Sequence, residues 1–408
     1  MKRIAIIGGG ASGMAAAIAA AQTDRTAQVT VIEHKQQLGK KILVTGNGRC
    51  NLTNRYMMPD CYRGENQNFV ETLLTDFGWQ DTVRFFETLG LPVKMRGDYV
   101  YPRSDQASSV LKVMTRRLKE LKVSKILDTH VTDVIHSKKG YVIRAGKKEY
   151  LAEKVILACG GKAAAVQGSD GSGYAIAKSL GHRIVPVVPA LVQLKVKDHP
   201  LAKASGVRTD ARVSVCVDGC LQAEDQGELQ ITAYGISGIP VFQISRYAAL
   251  GLYQKKPVQV SVNFMPEMSA KELTDFFQKR TVYLKNQNAE EFLLGCFPEK
   301  LICPILWQAA IRRDTSVSRL THHELSRLVS VCQRMVLTIS DTNGFDSAQV
   351  CAGGVATEEI NPGTMESFLH SGLYIAGELL DVDGICGGYN LQMAFASGIT
   401  AGRNAAFS

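Results

Sequence analysis

The residues best placed for chemistry come first in a glycine-rich turn, Gly8-Gly9-Gly10-Ala11-Ser12-Gly13, which fits G-x-G-x-x-G. The pattern alone is weak. Here it follows a short apolar run, Lys2 to Ile7, and opens an Ala-rich segment, Ala11 to Gln22, so a buried strand turns straight into a helix. In that context Gly8 permits the tight turn, Gly10 lets the backbone approach a pyrophosphate, and Gly13 lets the helix pack on the strand. The N–H groups of Ala11 and Ser12, at the positive end of the helix dipole, would then meet phosphate. Glu33 ends a second strand, Gln28 to Glu33, twenty residues after Gly13, with His34 beside it. A carboxylate there accepts hydrogen bonds from ribose hydroxyls and disfavours a 2′-phosphate.

Three further segments share this character. Lys40 and Lys41 precede Thr45-Gly46-Asn47-Gly48-Arg49-Cys50-Asn51-Leu52-Thr53-Asn54, a loop that can approach a ligand closely and offers many polar contacts. Gly160 and Gly161 follow an apolar strand, Val155 to Ala158. Near the end, Gly377-Glu378 and Gly387-Gly388-Tyr389-Asn390-Leu391-Gln392 lie just ahead of a small-residue helix, Leu391 to Asn404. Backbone N–H groups at that helix start could meet the O2/N1 edge of a flavin and stabilise the negative charge of its reduced form. The first turn says only "dinucleotide"; the loop at 45–54 and the C-terminal segment point to FAD.

These segments need a scaffold. A chain of 408 residues with 45% hydrophobic and 21% charged residues is that of a soluble globular protein of two or three domains. No stretch of the length needed to span a bilayer is free of charge or glycine, so no membrane span is expected. The three glycines at 8–10 also interrupt what would otherwise read as a signal peptide. Ten cysteines without any C-x-x-C pair read as reduced thiols in a cytoplasm. Their spacing, and that of the histidines, gives no metal set. The formal charge of +9 is spread over doublets such as Arg116-Arg117 and Lys255-Lys256, so it reads as a solvated basic surface and nucleic acid is not expected as a partner.

Along the chain, helices are expected at 69–90, 105–122 and 174–180, and strands at 124–128 and 141–144 with a turn at Lys138-Lys139-Gly140. From Pro186 the texture becomes β-rich, including a hairpin at Asp218-Gly219, and residues 269–332 turn helical behind a capping box of Ser269 and Glu272. A short strand at 373–376 and the final helix return to the style of the start. The expected organisation is a discontinuous nucleotide domain, 1–190 and 335–408, interrupted by a β-rich insert, 191–264, on the substrate side, and a helical insert, 265–334.

The turn at 8–13, the loop T-G-N-G-R-C-N-L-T-N at 45–54, Gly353-Gly354-Val355 and the segment G-E-L-L-D-V-D-G…G-G-Y-N-L-Q at 377–392 resemble the BaiN-like family of bacterial flavoproteins, essentially end to end. The resemblance implies an α/β fold: a Rossmann-type two-dinucleotide-binding FAD domain interrupted by a β-barrel-like insert and a small helical insert. It implies that Glu33 binds the adenosine ribose and the Val131 backbone the adenine. Lys41, Arg49, Cys50 and Asn51 would lie on the flavin side, with Gly377, Glu378, Asn390 and Leu391 closing over the isoalloxazine. Two positions depart from the family pattern: Asn47 stands where many members carry glycine, and Ala233 where members often carry histidine.

A second nucleotide fingerprint is absent, because Gly168-Ser-Asp-Gly171-Ser-Gly173 has the wrong order and follows no strand. NADH or NADPH would therefore visit the flavin as a transient electron donor. The family suggests two reactions: reduction of conjugated C=C bonds in 3-oxo-4-ene and 4,6-diene bile acids, and oxidation of aminoacetone by oxygen. The thiol-rich, basic chain and an insert able to supply an apolar pocket favour the reductase, with an apolar, anionic small molecule as substrate. Protonation of the α-carbon needs an acid, for which Tyr234 and Tyr389 are the candidates, each with a buried structural role as the plainer reading. An RNA-acting flavoprotein is the alternative from another class.

Overall fold

Apolar residues on both faces of a strand demand cover on both sides, and the first strand, Arg3–Ile7, buries Ile4, Ala5, Ile6 and Ile7 together. The computed structural model describes residues 1–408 and places this strand at the centre of a five-stranded parallel sheet. The order is Leu373–Ile375, Lys154–Leu157, Arg3–Ile7, Gln28–Ile32, Ser124–Ile126. The glycine turn, Glu33, Gly160 with Gly161, and Gly377 all lie just beyond the carboxyl ends of these parallel strands, the edge at which open α/β sheets bind ligands.

Two compact units make up the chain: residues 1–187 with 349–408, and residues 188–348. Within the first, helix Ala11–Thr23 packs along helix Tyr389–Phe407. Their contact is a seam of small residues. A methyl group on Gly398 would stand 2.4 Å from the Ser12 carbonyl oxygen, and one on Gly402 would stand 2.2 Å from that of Ala16. The unit also holds two three-stranded antiparallel sheets and a two-stranded one, Tyr62–Arg63 with Asp383–Gly384. Of the three-stranded sheets, one is the meander Asp133–Ser137, Gly140–Ala145, Lys148–Ala152; the other joins Thr53–Asn54, Tyr99–Pro102 and Val93–Arg96.

The second unit is a closed six-stranded barrel with its helices. Around the barrel run Leu194–Val196, Gly235–Ser237, Cys220–Ile231, Arg208–Val217, Val258–Asn263 and Met335–Thr342. The hairpin at Asp218-Gly219 is present, with φ of 53° and 77° at the two turn residues, the left-handed pair that matches strand twist. The capping box is also present: the Ser269 N–H donates to Glu272 Oε2 at 2.8 Å, and the Glu272 N–H donates to Ser269 Oγ at 3.3 Å.

Several expectations are corrected. The helix expected at 69–90 is two, Gln67–Asp76 and Trp79–Thr88, because Gly78 starts a new helix with its N–H held by Asp81 at 2.9 Å. The turn at 138–140 joins Gly140–Ala145 to Asp133–Ser137, a strand whose mixed residues hid it. A helix, Ile239–Tyr253, interrupts the β-rich insert and packs on the barrel strands; Pro240 in its first turn marks its start. Strand Met335–Thr342 pairs with both Leu194–Val196 and Val258–Asn263 and so closes the barrel. The expected boundary at 335 therefore falls inside the barrel unit. Barrel and helices share one hydrophobic core, with Val213, Leu229 and Val260 in the same cluster as Phe277, Phe292 and Leu328, so the β-rich and helical inserts are one body.

The seam sets a competition between effects. Alanine is the better helix former by about 1 kcal/mol, but at 402 its methyl would meet backbone atoms that cannot swing aside. Gly402→Ala is therefore expected to lower stability by about 1–3 kcal/mol in urea unfolding; unchanged or raised stability would show that the helices can part freely.

Candidate functional site

The turn after the first strand is built as its sequence requires. Gly8 has φ of +102°, and a methyl there would lie 2.3 Å from the Ala158 carbonyl oxygen; a methyl on Gly13 would lie 1.9 Å from that of Gly8. Gly10 caps helix Ala11–Thr23 with no side-chain hydrogen bond, no acidic residue occupies the first turn, and nothing lies within 4 Å of where its Cβ would be. An uncapped helix start with open space before it fits a pyrophosphate.

Glu33 is buried at the end of the second strand. Its Oε2 accepts from the Gly9 N–H at 2.7 Å and its Oε1 from the Lys35 N–H at 2.9 Å, which fixes the carboxylate beside the turn. His34 Nδ1 lies 3.3 Å from Glu33 Oε1. Val131 is buried nearby in the loop that the Glu33 carbonyl reaches through the Thr129 N–H, and its own N–H has no acceptor in the chain. The fold also gathers His34, His130 and Asp170, whose ligand atoms all lie within 4.8 Å of one another, with the two imidazoles edge to face at 5.7 Å. Spacing could not reveal this trio, since its members come from three separate loops.

The loop at 45–54 begins inside Lys40–Gly48, a 3₁₀ segment that breaks at Thr45 and has left-handed backbone at Gly46, Asn47 and Gly48, at φ of 55°, 54° and 81°. Asn47 thus fills a left-handed conformation, which asparagine tolerates better than most side chains. Cys50 is also left-handed, at φ of 61°, and fully buried. Burial pushes its thiol up to about 12, so it remains a neutral packing group. Arg49 is exposed. Asn51 is buried with its Oδ1 lacking any hydrogen-bond partner, as is the Thr53 hydroxyl, so both await a donor that the protein does not supply.

The C-terminal segment meets these elements. A methyl on Gly388 would stand 2.8 Å from the Thr53 carbonyl oxygen and 2.9 Å from Asn51 Oδ1, and one on Gly377 would stand 2.5 Å from Ser12 Oγ. The Gly377 N–H donates to Ser397 Oγ at 2.9 Å, an anchor for which the sequence offers no local signal. Glu378 accepts from Lys41 Nζ at 2.7 Å and from the Cys351 N–H at 3.0 Å. Gly161 lies close beneath this pair: a methyl there would stand 2.9 Å from Glu378 Oε1 and 3.0 Å from the Tyr174 hydroxyl. Gly160 precedes it at φ of 74°. Gly388 caps the last helix with no side-chain hydrogen bond and no acid in the first turn. The Asn390 side chain is spent on Gly384, donating to its carbonyl and accepting from its N–H, both at 2.8 Å. Asn390 and Leu391 can therefore serve a ligand through their backbone N–H groups.

The two tyrosines part company. Tyr389 is buried, its ring edge to face with Tyr62 at 5.7 Å and its hydroxyl against Cys61; burial raises it well above the usual phenol range. That is a core anchor, which speaks against it as the proton donor. Tyr234 lies in the barrel unit and is 42% exposed.

Two uncapped helix starts, a buried carboxylate at a strand end and two orphaned polar atoms fit a dinucleotide that carries a further polar ring system, as FAD does. Glu33→Ala is expected to weaken FAD binding by about tenfold or more, since it removes an ionised acceptor from the ribose position. Titration of the flavin-free protein would read this, and an unchanged affinity would show the ribose assignment wrong.

The chain matches the family described as HI0933-like protein Rossmann domain over residues 2–404. It is 55% identical over 406 residues to the 3-dehydro-bile acid delta(4,6)-reductase of Clostridium scindens, covering 100% of this chain and 99% of that one. It is 29% identical over 396 residues to the ribosomal RNA dihydrouridine synthase of Escherichia coli, covering 96% and 95%. Among solved structures, a 3-ketosteroid delta1-dehydrogenase from Sterolibacterium denitrificans aligns over 100% of both chains with a TM-score of 0.50 at 13% identity, a likeness of fold alone. By its full-length match, the chain belongs to the HI0933-like Rossmann-domain family.

Proposed function

We propose that this protein is an FAD-dependent oxidoreductase that uses NADH or NADPH to reduce a C=C bond conjugated to a carbonyl in a 3-oxo-4-ene or 4,6-diene bile acid. The observation that carries the substrate class is the 55% identity, over the whole chain, to a relative named for that reduction. Bound flavin would supply the two-electron chemistry. Helix Ala11–Thr23 would hold the pyrophosphate, Glu33 the ribose and Val131 the adenine. The N-terminal N–H groups of Tyr389–Phe407 would face the flavin's O2/N1 edge and favour its reduced, anionic form. The Lys41–Glu378 pair would add polar contacts on the same side. Tyr234, 42% exposed, is the remaining candidate to protonate the α-carbon.

A second reading has its own support in the 29% identity to a ribosomal RNA dihydrouridine synthase, a name that also describes saturation of a C=C bond beside a carbonyl. On this reading the basic charge of +9 would serve RNA. Oxidation of aminoacetone by oxygen is the third.

One experiment separates them. The flavin is reduced anaerobically with NADH or NADPH and its reoxidation is followed with a 3-oxo-4-ene bile acid, unmodified ribosomal RNA or oxygen alone; separately, the oxidised flavin is mixed anaerobically with aminoacetone, its reduction is followed, and oxygen is then admitted. The bile acid is expected to reoxidise it with saturation of the ring. Turnover confined to RNA, or to the amine with oxygen, would sink the bile-acid reading.

A further inference from the structure

The sheet of Thr53–Asn54, Tyr99–Pro102 and Val93–Arg96 carries a cluster that no role above absorbs. Register places Arg96 opposite Tyr99 and Lys94 opposite Tyr101, so all four side chains share one face. Asn54, opposite Tyr99 in the same sheet, donates from Nδ2 to the Gly387 carbonyl at 2.9 Å. A methyl on Gly387 would stand 3.2 Å from the Tyr99 ring. On the other side the loop reaches Tyr101: a methyl on Gly46 would lie 4.0 Å from both Tyr101 Cε1 and Arg49 Cβ. The face thus borders both the 45–54 loop and the Gly387-Gly388 turn.

Its charges are arranged. Asp105 holds Lys94 and Arg96 with a single oxygen, at 2.6 Å to Arg96, while its Oδ1 is buried without a partner. The residue sits at φ of 54°, an uncommon conformation outside turns that the fold must hold in place. Arg96 lies over the Tyr101 ring at 5.7 Å. Arg49 stands within electrostatic reach of Tyr101 and Asp105 but forms no ion pair in the chain. Three cations against one carboxylate leave the face positive. Tyr99 is 42% exposed, so its ring is open to a ligand.

We propose that this face recognises the substrate, with the tyrosine rings taking its carbocycle and Arg49 and Arg96 taking its carboxylate. A planar guanidinium matches a carboxylate through paired N–H donors, and an aromatic face accepts a rigid apolar ring at little entropic cost. Asp105 is the positioning residue: it fixes Arg96 and leaves Arg49 free for the ligand. The assignment rests on the reductase reading above and adds to it a location for the anionic group.

The test measures binding to the FAD-loaded protein without reductant, so that nothing turns over. Cholate serves as a carboxylated steroid, testosterone as a neutral one and uridine monophosphate as the nucleotide contrast. Arg96→Gln and Arg49→Gln are each expected to raise the Kd of cholate on the order of tenfold while leaving testosterone unchanged. Added salt should weaken cholate binding to the unaltered protein and spare testosterone; this arm stands even if a variant fails to fold, which FAD content would reveal. Equal affinities in both variants, or cholate binding indifferent to salt, would overturn the site alone. Failure of the unaltered protein to bind either steroid would overturn the reductase reading with it. Loss of uridine monophosphate binding in the variants, with cholate retained, would assign the face to a nucleotide instead.

Discussion

Everything in the candidate site depends on one packing constraint, the close crossing of the first helix and the last. Gly398 and Gly402 bring Tyr389–Phe407 against Ser12 and Ala16 so closely that not even a methyl group fits. The same crossing sets Gly377 on Ser12 and thereby joins the phosphate turn to a segment from the far end of the sequence. Van der Waals contact at that distance tolerates little drift, so the two uncapped helix starts are held in a fixed relation. The parallel sheet beneath adds the second constraint. Its carboxyl edge is where Gly8, Glu33, Gly160 and Gly377 emerge, and each then needs only a short loop to reach a common ligand.

The site is polar in a particular way. Its open donors are backbone N–H groups at the two helix starts, and its carboxylates, the buried Glu33 and the half-buried Glu378, are each held by donors of the protein. Asn51 Oδ1 and the Thr53 hydroxyl remain without partners in the interior. A protein that buries such groups loses free energy unless a ligand completes them. By contrast, Cys50 and Cys351 are buried thiols raised to about 12, so these two stay neutral and pack.

Much of this was legible in the sequence because it is local. A glycine turn between a strand and a helix, an acid at the next strand end, an Asp-Gly hairpin and a capping box each declare themselves within a few residues. What stayed hidden is non-local. Strand Met335–Thr342 looks like any alternating strand, and only its two barrel neighbours assign it to the insert. The helix Ile239–Tyr253 was masked by the strands around it, although Pro240 announced it. Tyr389 sits in a glycine-rich segment that suggested chemistry, yet its ring serves the core, as its neighbours Tyr62 and Cys61 show. Ser397 and the trio of His34, His130 and Asp170 are gathered only by tertiary packing. The HI0933-like family match, which spans residues 2–404, agrees with the local signals and with the fold.

On this reading the first and last helices together hold one FAD molecule. An electron-density map of the FAD-loaded protein tests it most directly. The map is expected to show the pyrophosphate at the start of Ala11–Thr23, a ribose on Glu33, and the flavin's O2/N1 edge at the start of Tyr389–Phe407. A map with the pyrophosphate away from Gly10, or the flavin ring away from Gly388, would contradict it.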